Sequence, residues 1–287
     1  MSIRVKKLHP LIGAEVTGVS LAGPLNVETR EAIKAAWSEH AVLVFPNQAI
    51  TDEQQVSFTR HFGELEIFPQ TENRSSRVPE IFQITNVGED GRIRPVGTPG
   101  AQYSTLIWVW HTDSSYRPIP SKGAVLHAIE VVKKGGDTLF SDMCSAYEQL
   151  PSALKNRIEG LRARHSFVYS RRLRNLPPMQ ASEEAKVPPV DHPLVRRHPD
   201  GRRSLYVSTT YIERILGVSE SESQQLIEEL MAWATQDRFV YRHRWRPHDV
   251  LMWDNRWTIH VVIPFDHANE RRMMHRTTIA GTEPVVG

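Results

Sequence analysis

Short apolar runs bounded by turn-forming residues recur along the chain and predict a protein built mainly from β-strands. Residues 41–45 are apolar throughout and are closed by Pro46 and Asn47, which is typical of a strand buried on both faces. The same criteria predict strands over residues 11–21, 81–87, 124–132, 138–142, 204–207, 239–246, 249–254 and 276–280.

Helical spacing is found in fewer segments. Residues 28–40 bring Ile33, Ala36 and Trp37 to one face, and Thr51 with Gln54 forms a capping-box pattern that opens a helix reaching about residue 62. Further helices are predicted over residues 146–161 and 219–235. Many short strands with few helices indicate one α+β domain over residues 1–287, with an antiparallel β-core and helices packed outside it.

Two segments interrupt this pattern. Residues 88–106 are rich in Gly, Pro and Arg, and residues 171–191 combine prolines with many charges. Long loops inside one domain are usually functional, so we expect both segments to be lids over a site.

Composition and charge exclude several classes of protein. The 287 residues are 40% hydrophobic and 24% charged, and the net charge of +2 is too small to predict a nucleic-acid or membrane partner. No apolar run approaches the roughly 20 residues that span a bilayer, and no signal peptide is visible, so we expect a cytoplasmic protein. The single cysteine, Cys144, excludes an internal disulfide and a thiolate metal cluster.

The first sign of chemistry is the sequence Trp-His-Thr-Asp over residues 110–113. If these residues form a strand, His111 and Asp113 share one face and can bind one ion. A second histidine from elsewhere would complete the two-histidine, one-carboxylate set of non-haem Fe(II) oxygenases. Alone, a His-x-Asp match is weak, because a histidine at a strand end often makes only a structural hydrogen bond.

A second constellation lies far downstream. The predicted strand 249–254 runs into a turn, and His260 opens the next strand. Arg272 and Arg276 follow, four residues apart, and the planar fork of an arginine matches the geometry of a carboxylate. These residues could bind a carboxylate cosubstrate near a metal, or they could form an ordinary basic strand face.

Two other functions compete with an iron oxygenase. Zinc hydrolases also use two histidines and one carboxylate, although such a site gives no reason for a carboxylate clamp. A binding module without activity gives no reason for an intact set of metal ligands.

Four motifs taken in order resemble the taurine dioxygenase and 2,4-dichlorophenoxyacetate dioxygenase family, whose members depend on Fe(II) and 2-oxoglutarate. They are residues 110–113, Gly-Gly-Asp-Thr over residues 135–138, residues 252–260 and residues 272–276. The resemblance covers nearly the whole chain, and it implies a double-stranded β-helix, or jelly-roll, with flanking helices. It also implies a homo-oligomer, a dimer or a tetramer.

The resemblance assigns roles to individual residues. His111, Asp113 and His260 are expected to bind Fe(II), while Thr138 and Arg272 are expected to bind the distal carboxylate of 2-oxoglutarate. Arg276 is expected to meet an anionic group of the substrate. The stretch between His260 and the arginines is about one residue longer than in the taurine enzyme, so Arg271 stays the alternative to Arg272. The expected reaction uses O2 and 2-oxoglutarate, hydroxylates a C–H bond, and releases succinate and CO2.

The substrate is less well defined. The taurine enzyme has a polar amide side chain just upstream of its His-x-Asp motif, whereas this chain has the apolar stretch 106–110, with Ile107 as the expected substrate contact. Together with residues 114–118 and 239–245, this favours an aryloxyalkanoate such as a phenoxyacetate, although those aromatic residues could equally be core. Taurine, or another alkyl sulfonate or sulfate, is the alternative.

Overall fold

Seven strands form the largest sheet in a computed structural model of the chain, which describes residues 3–68, 73–95, 97–98 and 105–287. Their order across the sheet is β1 (Arg4–Lys7), β2 (Ala14–Thr17), β3 (Val42–Phe45), β13 (Val250–Asp254), β5 (Gly123–Glu130), β15 (Met273–Ile279) and β4 (Phe82–Thr85). All neighbours are antiparallel except β2 and β3.

A second sheet has three antiparallel strands in the order β12 (Val240–His243), β6 (Thr138–Asp142) and β14 (Thr258–Val262). Its side chains share an apolar cluster with the large sheet. Leu126 and Trp253 come from the large sheet, and Phe140 and Tyr241 come from the small one. The two sheets therefore bury a common core between their inner faces.

Two smaller sheets complete the β-structure of the described residues. One contains β11 (Ile212–Ile215), β7 (Arg162–His165) and β8 (Val190–Pro193), and the other pairs β10 (Arg203–Leu205) with β9 (Val195–Arg197). The architecture is mixed α/β and mostly sheet.

Helices cover the outer faces of the two main sheets. The helices are α1 (Val27–His40), α2 (Asp52–Arg60), α3 (Met143–Glu148), α4 (Ser152–Ile158), α5 (Phe167–Leu173), α6 (Ala181–Glu184) and α7 (Glu220–Ala234). Trp37 of α1 and Phe58 of α2 pack on the large sheet, while α3, α4 and α7 pack with Ile259 of the small sheet. The capping box predicted at Thr51 and Gln54 is confirmed, with both reciprocal hydrogen bonds present.

The predicted helix over residues 146–161 and the predicted loop over residues 171–191 differ from the structure. The helix predicted over residues 146–161 is two helices, α3 and α4, because Pro151 cannot continue the first and instead begins the second. The segment 171–191 is not a plain loop, since it contains the end of α5, all of α6 and the start of β8. Within the described residues, no helix is both long and apolar enough to cross a membrane.

Candidate metal centre and adjoining cavities

Three buried side chains predicted to bind a metal lie together. His111, Asp113 and His260 each offer one ligand atom, and these atoms all lie within 4.8 Å of one another. The side chains are 5%, 7% and 6% exposed, so the converging donors are almost entirely removed from bulk water.

The strand β14 determines the direction of His260. Side chains alternate along a strand, so Ile259 faces the helices while His260 faces the space between the sheets. There the imidazole stacks on Phe140, with ring centroids 5.7 Å apart, and lies beside Trp253.

The prediction that His111 and Asp113 share a strand is wrong. His111 makes only an isolated antiparallel bridge. Its N–H donates to the carbonyl oxygen of His260 at 3.0 Å, and its carbonyl oxygen accepts from the N–H of His260 at 2.7 Å. The chain then turns, and Ser114 has a φ of 60°, in the left-handed region. This turn directs the Asp113 carboxylate towards the two imidazoles, a role that the prediction had given to the alternation of side chains along a strand.

Both imidazoles have the protonation state that a metal ligand needs. Nδ1 of His111 lies 2.8 Å from the carbonyl oxygen of Val109, which can only accept, so Nδ1 carries the proton and Nε2 keeps its lone pair. Burial lowers the pKa of His111, and burial with the neighbouring His111 holds the pKa of His260 well below its usual value. Both rings are therefore neutral at neutral pH.

The carboxylate of Asp113 is ionised for a different reason. Burial by itself would raise its pKa, but the nearby positive charge of Arg276, with the hydrogen bond from Asn255, brings the pKa to about 2. Nη1 of Arg276 donates to Oδ1 at 3.0 Å, and Nδ2 of Asn255 donates to Oδ2 at 3.3 Å.

Asn255 has a positioning role that sequence reasoning did not assign. Its Oδ1 accepts a 2.9 Å hydrogen bond from Nε1 of Trp253, so the amide is held from both ends. The sequence contained a feature that could have identified it, because Asn255 belongs to the motif over residues 252–260 that supported the family resemblance.

The residues fit a divalent metal ion. Two neutral imidazoles and one ionised carboxylate are the donors that Fe(II) accepts on one face of an octahedron. Nδ1 of His260 is buried and has no hydrogen-bond partner in the described part of the protein, so that ring is held by packing rather than by a polar contact.

An inner cavity adjoins the metal centre between the two main sheets. Thr138, Arg272, His111 and His260 line it, together with apolar side chains of β4, β5 and β6. Its volume is about 20 Å³, space for about one water molecule. Two residues predicted to bind 2-oxoglutarate therefore lie in one cavity with two predicted metal ligands.

Of the two neighbouring arginines Arg271 and Arg272, Arg272 is the buried one. It is 3% exposed, and burial lowers the pKa of its guanidinium to about 10. Its guanidinium lies against the turn before Thr138. There Gly136 has a φ of 70°, and a Cβ at that position would lie 2.5 Å from Val132 and 3.5 Å from Nε of Arg272. Arg271 lies outside, where its guanidinium pairs with the carboxylate of Glu130 at 2.7 Å.

The hydroxyl of Thr138 is also held in place. Its Oγ1 accepts a hydrogen bond of 2.9 Å from Nε1 of Trp245. The predicted role of the 239–245 aromatics in substrate choice is not supported by their location, since Phe239 and Tyr241 are core residues and Trp245 contacts Thr138.

An outer pocket of about 110 Å³ opens on the other side of the metal centre. Its lining is aromatic, aliphatic and basic: Phe68, Leu106, Ile107, Tyr116, Phe167, Arg171, Arg174, Leu176, Tyr211 and Arg276 are the principal residues. Tyr116 packs on Phe167 and Tyr211, with ring centroids 4.8 and 5.0 Å apart. Ile107, His111 and Arg276 line both cavities, so the two meet at the metal centre.

Both predicted lid segments reach this pocket. Leu106 ends the first, whose residues 96 and 99–104 lie outside the described residues, and Arg171, Arg174 and Leu176 belong to the second. Sequence reasoning had assigned no function to Phe167 or Tyr211, which lie at the start of helix α5 and in a turn and follow no motif. Arg174, which follows the same helix, belongs to the predicted lid segment 171–191.

Comparison with known proteins gives one family. Residues 4–278 match the model described as the taurine catabolism dioxygenase TauD, TfdA family. The alpha-ketoglutarate-dependent 2,4-dichlorophenoxyacetate dioxygenase of Cupriavidus pinatubonensis is 37% identical over 284 residues, covering 97% of this chain and 98% of that protein. The (S)-phenoxypropionate/alpha-ketoglutarate-dioxygenase of Sphingobium herbicidovorans is 38% identical over 286 residues, covering 96% and 94%.

A solved structure extends the likeness to the fold. The crystal structure of AAD-2 in complex with Mn(II) and N-oxalylglycine is 37% identical to this chain and has a TM-score of 0.91, with 100% of each chain covered. The resemblance predicted from the motifs is thus confirmed over nearly the whole length, and the chain belongs to the TauD, TfdA family of dioxygenases.

Proposed function

We propose that this protein is an Fe(II)- and 2-oxoglutarate-dependent dioxygenase that oxidises a small aryloxyalkanoate and cleaves its ether. The observation that carries the proposal is the buried set His111, Asp113 and His260 at the junction of two cavities. One cavity is lined by Thr138 and Arg272, which can bind a carboxylate of a diacid cosubstrate, and the other has a lining that suits an anion with an apolar body.

His111, Asp113 and His260 are the proposed metal ligands. Fe(II) bound there supplies O2 activation, which couples oxidative decarboxylation of 2-oxoglutarate to oxidation of a C–H bond. The protein holds the ligand face ready: the imidazoles are neutral, and Arg276 and Asn255 fix both oxygens of the carboxylate.

Thr138 and Arg272 are the proposed contacts of the distal carboxylate of 2-oxoglutarate. A guanidinium can bind a carboxylate through two hydrogen bonds, and a buried one does so with little competition from water. Support comes from the AAD-2 neighbour, whose bound N-oxalylglycine differs from 2-oxoglutarate by an NH in place of a methylene. Because the inner cavity has a volume of about 20 Å³, lining side chains must shift to admit 2-oxoglutarate.

The outer pocket is the proposed substrate site. Tyr116, Phe167 and Tyr211 suit an aromatic ring, while Arg276 and its basic neighbours suit a carboxylate. The relatives named for 2,4-dichlorophenoxyacetate and (S)-phenoxypropionate support this substrate class. Ile107, at the junction of the cavities, is proposed as an apolar contact of the substrate.

The proposed reaction balances without a further oxidant. One atom of O2 enters the new carboxylate of succinate, and the other becomes a hydroxyl on the substrate carbon beside the ether oxygen. That carbon then expels the phenol and becomes the carbonyl of a 2-oxo acid. CO2 leaves from 2-oxoglutarate.

The two facing sheets are the proposed double-stranded β-helix core, and segments 88–106 and 171–191 are the proposed lids of one domain. The dimer or tetramer expected from the family resemblance stays a prediction, which light scattering of the purified protein checks.

Succinate release is the test of the proposed function. The protein with Fe(II), O2 and 2-oxoglutarate is assayed against aryloxyacetates, aryloxypropionates, taurine and alkyl sulfate esters. We expect succinate and phenol in equal amounts from an aryloxy acid. Stimulation by sulfonates or sulfates alone would overturn the substrate class, and phenol release with Zn(II) but without succinate would identify a hydrolase.

A further inference from the structure

Arg174 lies just after helix α5 and at the wall of the outer pocket. Its Nη2 donates to the carbonyl oxygen of Leu106 at 3.2 Å and to Oγ1 of Thr210 at 3.3 Å, and its Nη1 donates to the carbonyl of Ser170 at 3.4 Å. These neutral acceptors orient the guanidinium.

The same contacts tie the pocket wall to the metal ligands. Oγ1 of Thr210 also lies 3.2 Å from the carbonyl oxygen of Trp110, the residue before His111. Leu106, the other partner of Arg174, precedes Ile107 at the junction of the two cavities. Arg174 thus joins the two proposed lid segments at the rim of the outer pocket.

Arg276, the arginine expected to bind the substrate's anion, is already engaged. Its guanidinium donates to the carboxylate of Asp113 at 3.0 Å, and both side chains are buried. A substrate carboxylate bound to Arg276 would therefore share its guanidinium with Asp113, a proposed metal ligand. The outer pocket contains further cations at Arg171 and Arg174, while Asp113 is the acidic residue of its described lining.

We propose that Arg174 is a second contact for the anionic group of the substrate and determines the preference of the pocket for acids over neutral ligands. The inference rests on the proposed function, because it assumes that substrate occupies the outer pocket. An acid bridging Arg174 and Arg276 would face the metal centre and leave its ring against Tyr116 and Phe167.

Binding to the Mn(II)-loaded protein tests this without turnover. Calorimetry with 2-oxoglutarate present would give the dissociation constants of phenoxyacetate and of phenoxyacetamide, a neutral ligand of nearly the same shape. For Arg174→Gln we expect the preference for the acid over the amide to fall at least about tenfold, since a hydrogen bond to a charged group is removed. Arg174→Lys should restore part of the preference.

Arg172→Gln is the matched control, because Arg172 lies on the same helix with its side chain 70% exposed and pairs with Glu213 at 3.8 Å. It should leave the acid-to-amide ratio unchanged. Equal weakening of acid and amide by Arg174→Gln would indicate a purely structural role and overturn the inference. An unchanged ratio would overturn it as well. By contrast, normal acid binding by the unmodified enzyme without succinate formation would overturn the proposed function.

Discussion

The inner cavity and the outer pocket meet at one metal centre, yet they are built differently. Strands or their ends supply most of the inner lining, including Thr138 on β6, His260 on β14 and Arg272 just before β15. Loops and helix α5 supply most of the outer lining, including Leu106, Phe167 and Tyr211. Backbone hydrogen bonds across a sheet fix side chains more firmly than a loop does. Under the proposed function, residues of the sheets bind 2-oxoglutarate and much of the metal, while the loops and helix α5 around them select the substrate.

Asp113→Ala should have the largest effect, because it removes the carboxylate among the three proposed metal ligands, on which both cavities depend. Losing an outer partner of a metal ligand costs about 10–100-fold in affinity, and losing the ligand itself should cost more. The variant also leaves the buried Arg276 without its 3.0 Å carboxylate partner. Mn(II) titration followed by electron paramagnetic resonance measures the change. Retention of full Mn(II) affinity would remove Asp113 from the ligand set.

Arg272→Ala should act on the inner cavity alone. A charge-assisted hydrogen bond contributes about 1.5–3 kcal/mol, so the KM for 2-oxoglutarate should rise by about 10- to 150-fold. The KM for the aryloxy acid should change much less. Steady-state kinetics with each ligand varied in turn separates the two.

The neighbouring arginine offers the control for that variant. Arg271→Ala removes a half-exposed ion pair with Glu130, a class of contact whose contribution is about 0–1 kcal/mol. Its KM for 2-oxoglutarate should match that of the unmodified protein. A reversal of the two results would exchange the roles assigned to Arg271 and Arg272.

Phe167→Ala should act on the outer pocket alone, and more weakly. An aromatic contact contributes about 0.5–1.5 kcal/mol beyond the area it buries, so the KM for an aryloxy acid should rise by about two- to tenfold. The KM for 2-oxoglutarate should stay constant. An equal rise in both constants would contradict the separation of the cavities.

The pH dependence of metal binding should be the smallest effect. Burial holds the pKa of His111 and of His260 below the ordinary value of 6.5, and the pKa of Asp113 is about 2. Both histidines are therefore less protonated at pH 6.5 than ordinary histidines are, and Asp113 is ionised, so metal binding displaces fewer protons there. The Mn(II) affinity should fall less between neutral pH and pH 6.5 than two histidines with the ordinary pKa would cause, and a fall as steep as theirs would contradict the lowered pKa values.

The sequence predicted the residues around the metal centre and the inner cavity better than those of the outer pocket. Its motifs, through their resemblance to a known family, selected His111, Asp113, His260, Thr138 and Arg272 as candidates, and the structure brings these residues together around one centre. The sequence could not anticipate the turn at Ser114, since a left-handed serine leaves no distinct pattern. The pairing of Arg276 with Asp113 was also missed, because two residues 163 positions apart meet only after both sheets form.

The outer pocket was the least predictable part. Its lining combines both ends of helix α5, at Phe167 and Arg174, with Tyr211 from a loop. No local periodicity in the sequence connects these residues. The single long helix predicted over residues 146–161 was wrong for a simpler reason. Apolar residues at helical spacing on both sides of Pro151 indicated one continuous helix, although the proline separates two.

A crystal structure with Mn(II) and 2-oxoglutarate bound tests the central claim most directly. The account predicts one metal ion on His111, Asp113 and His260, with the distal carboxylate of 2-oxoglutarate on Thr138 and Arg272 and the outer pocket left open for substrate. A metal bound elsewhere, or 2-oxoglutarate lying in the outer pocket, would contradict it.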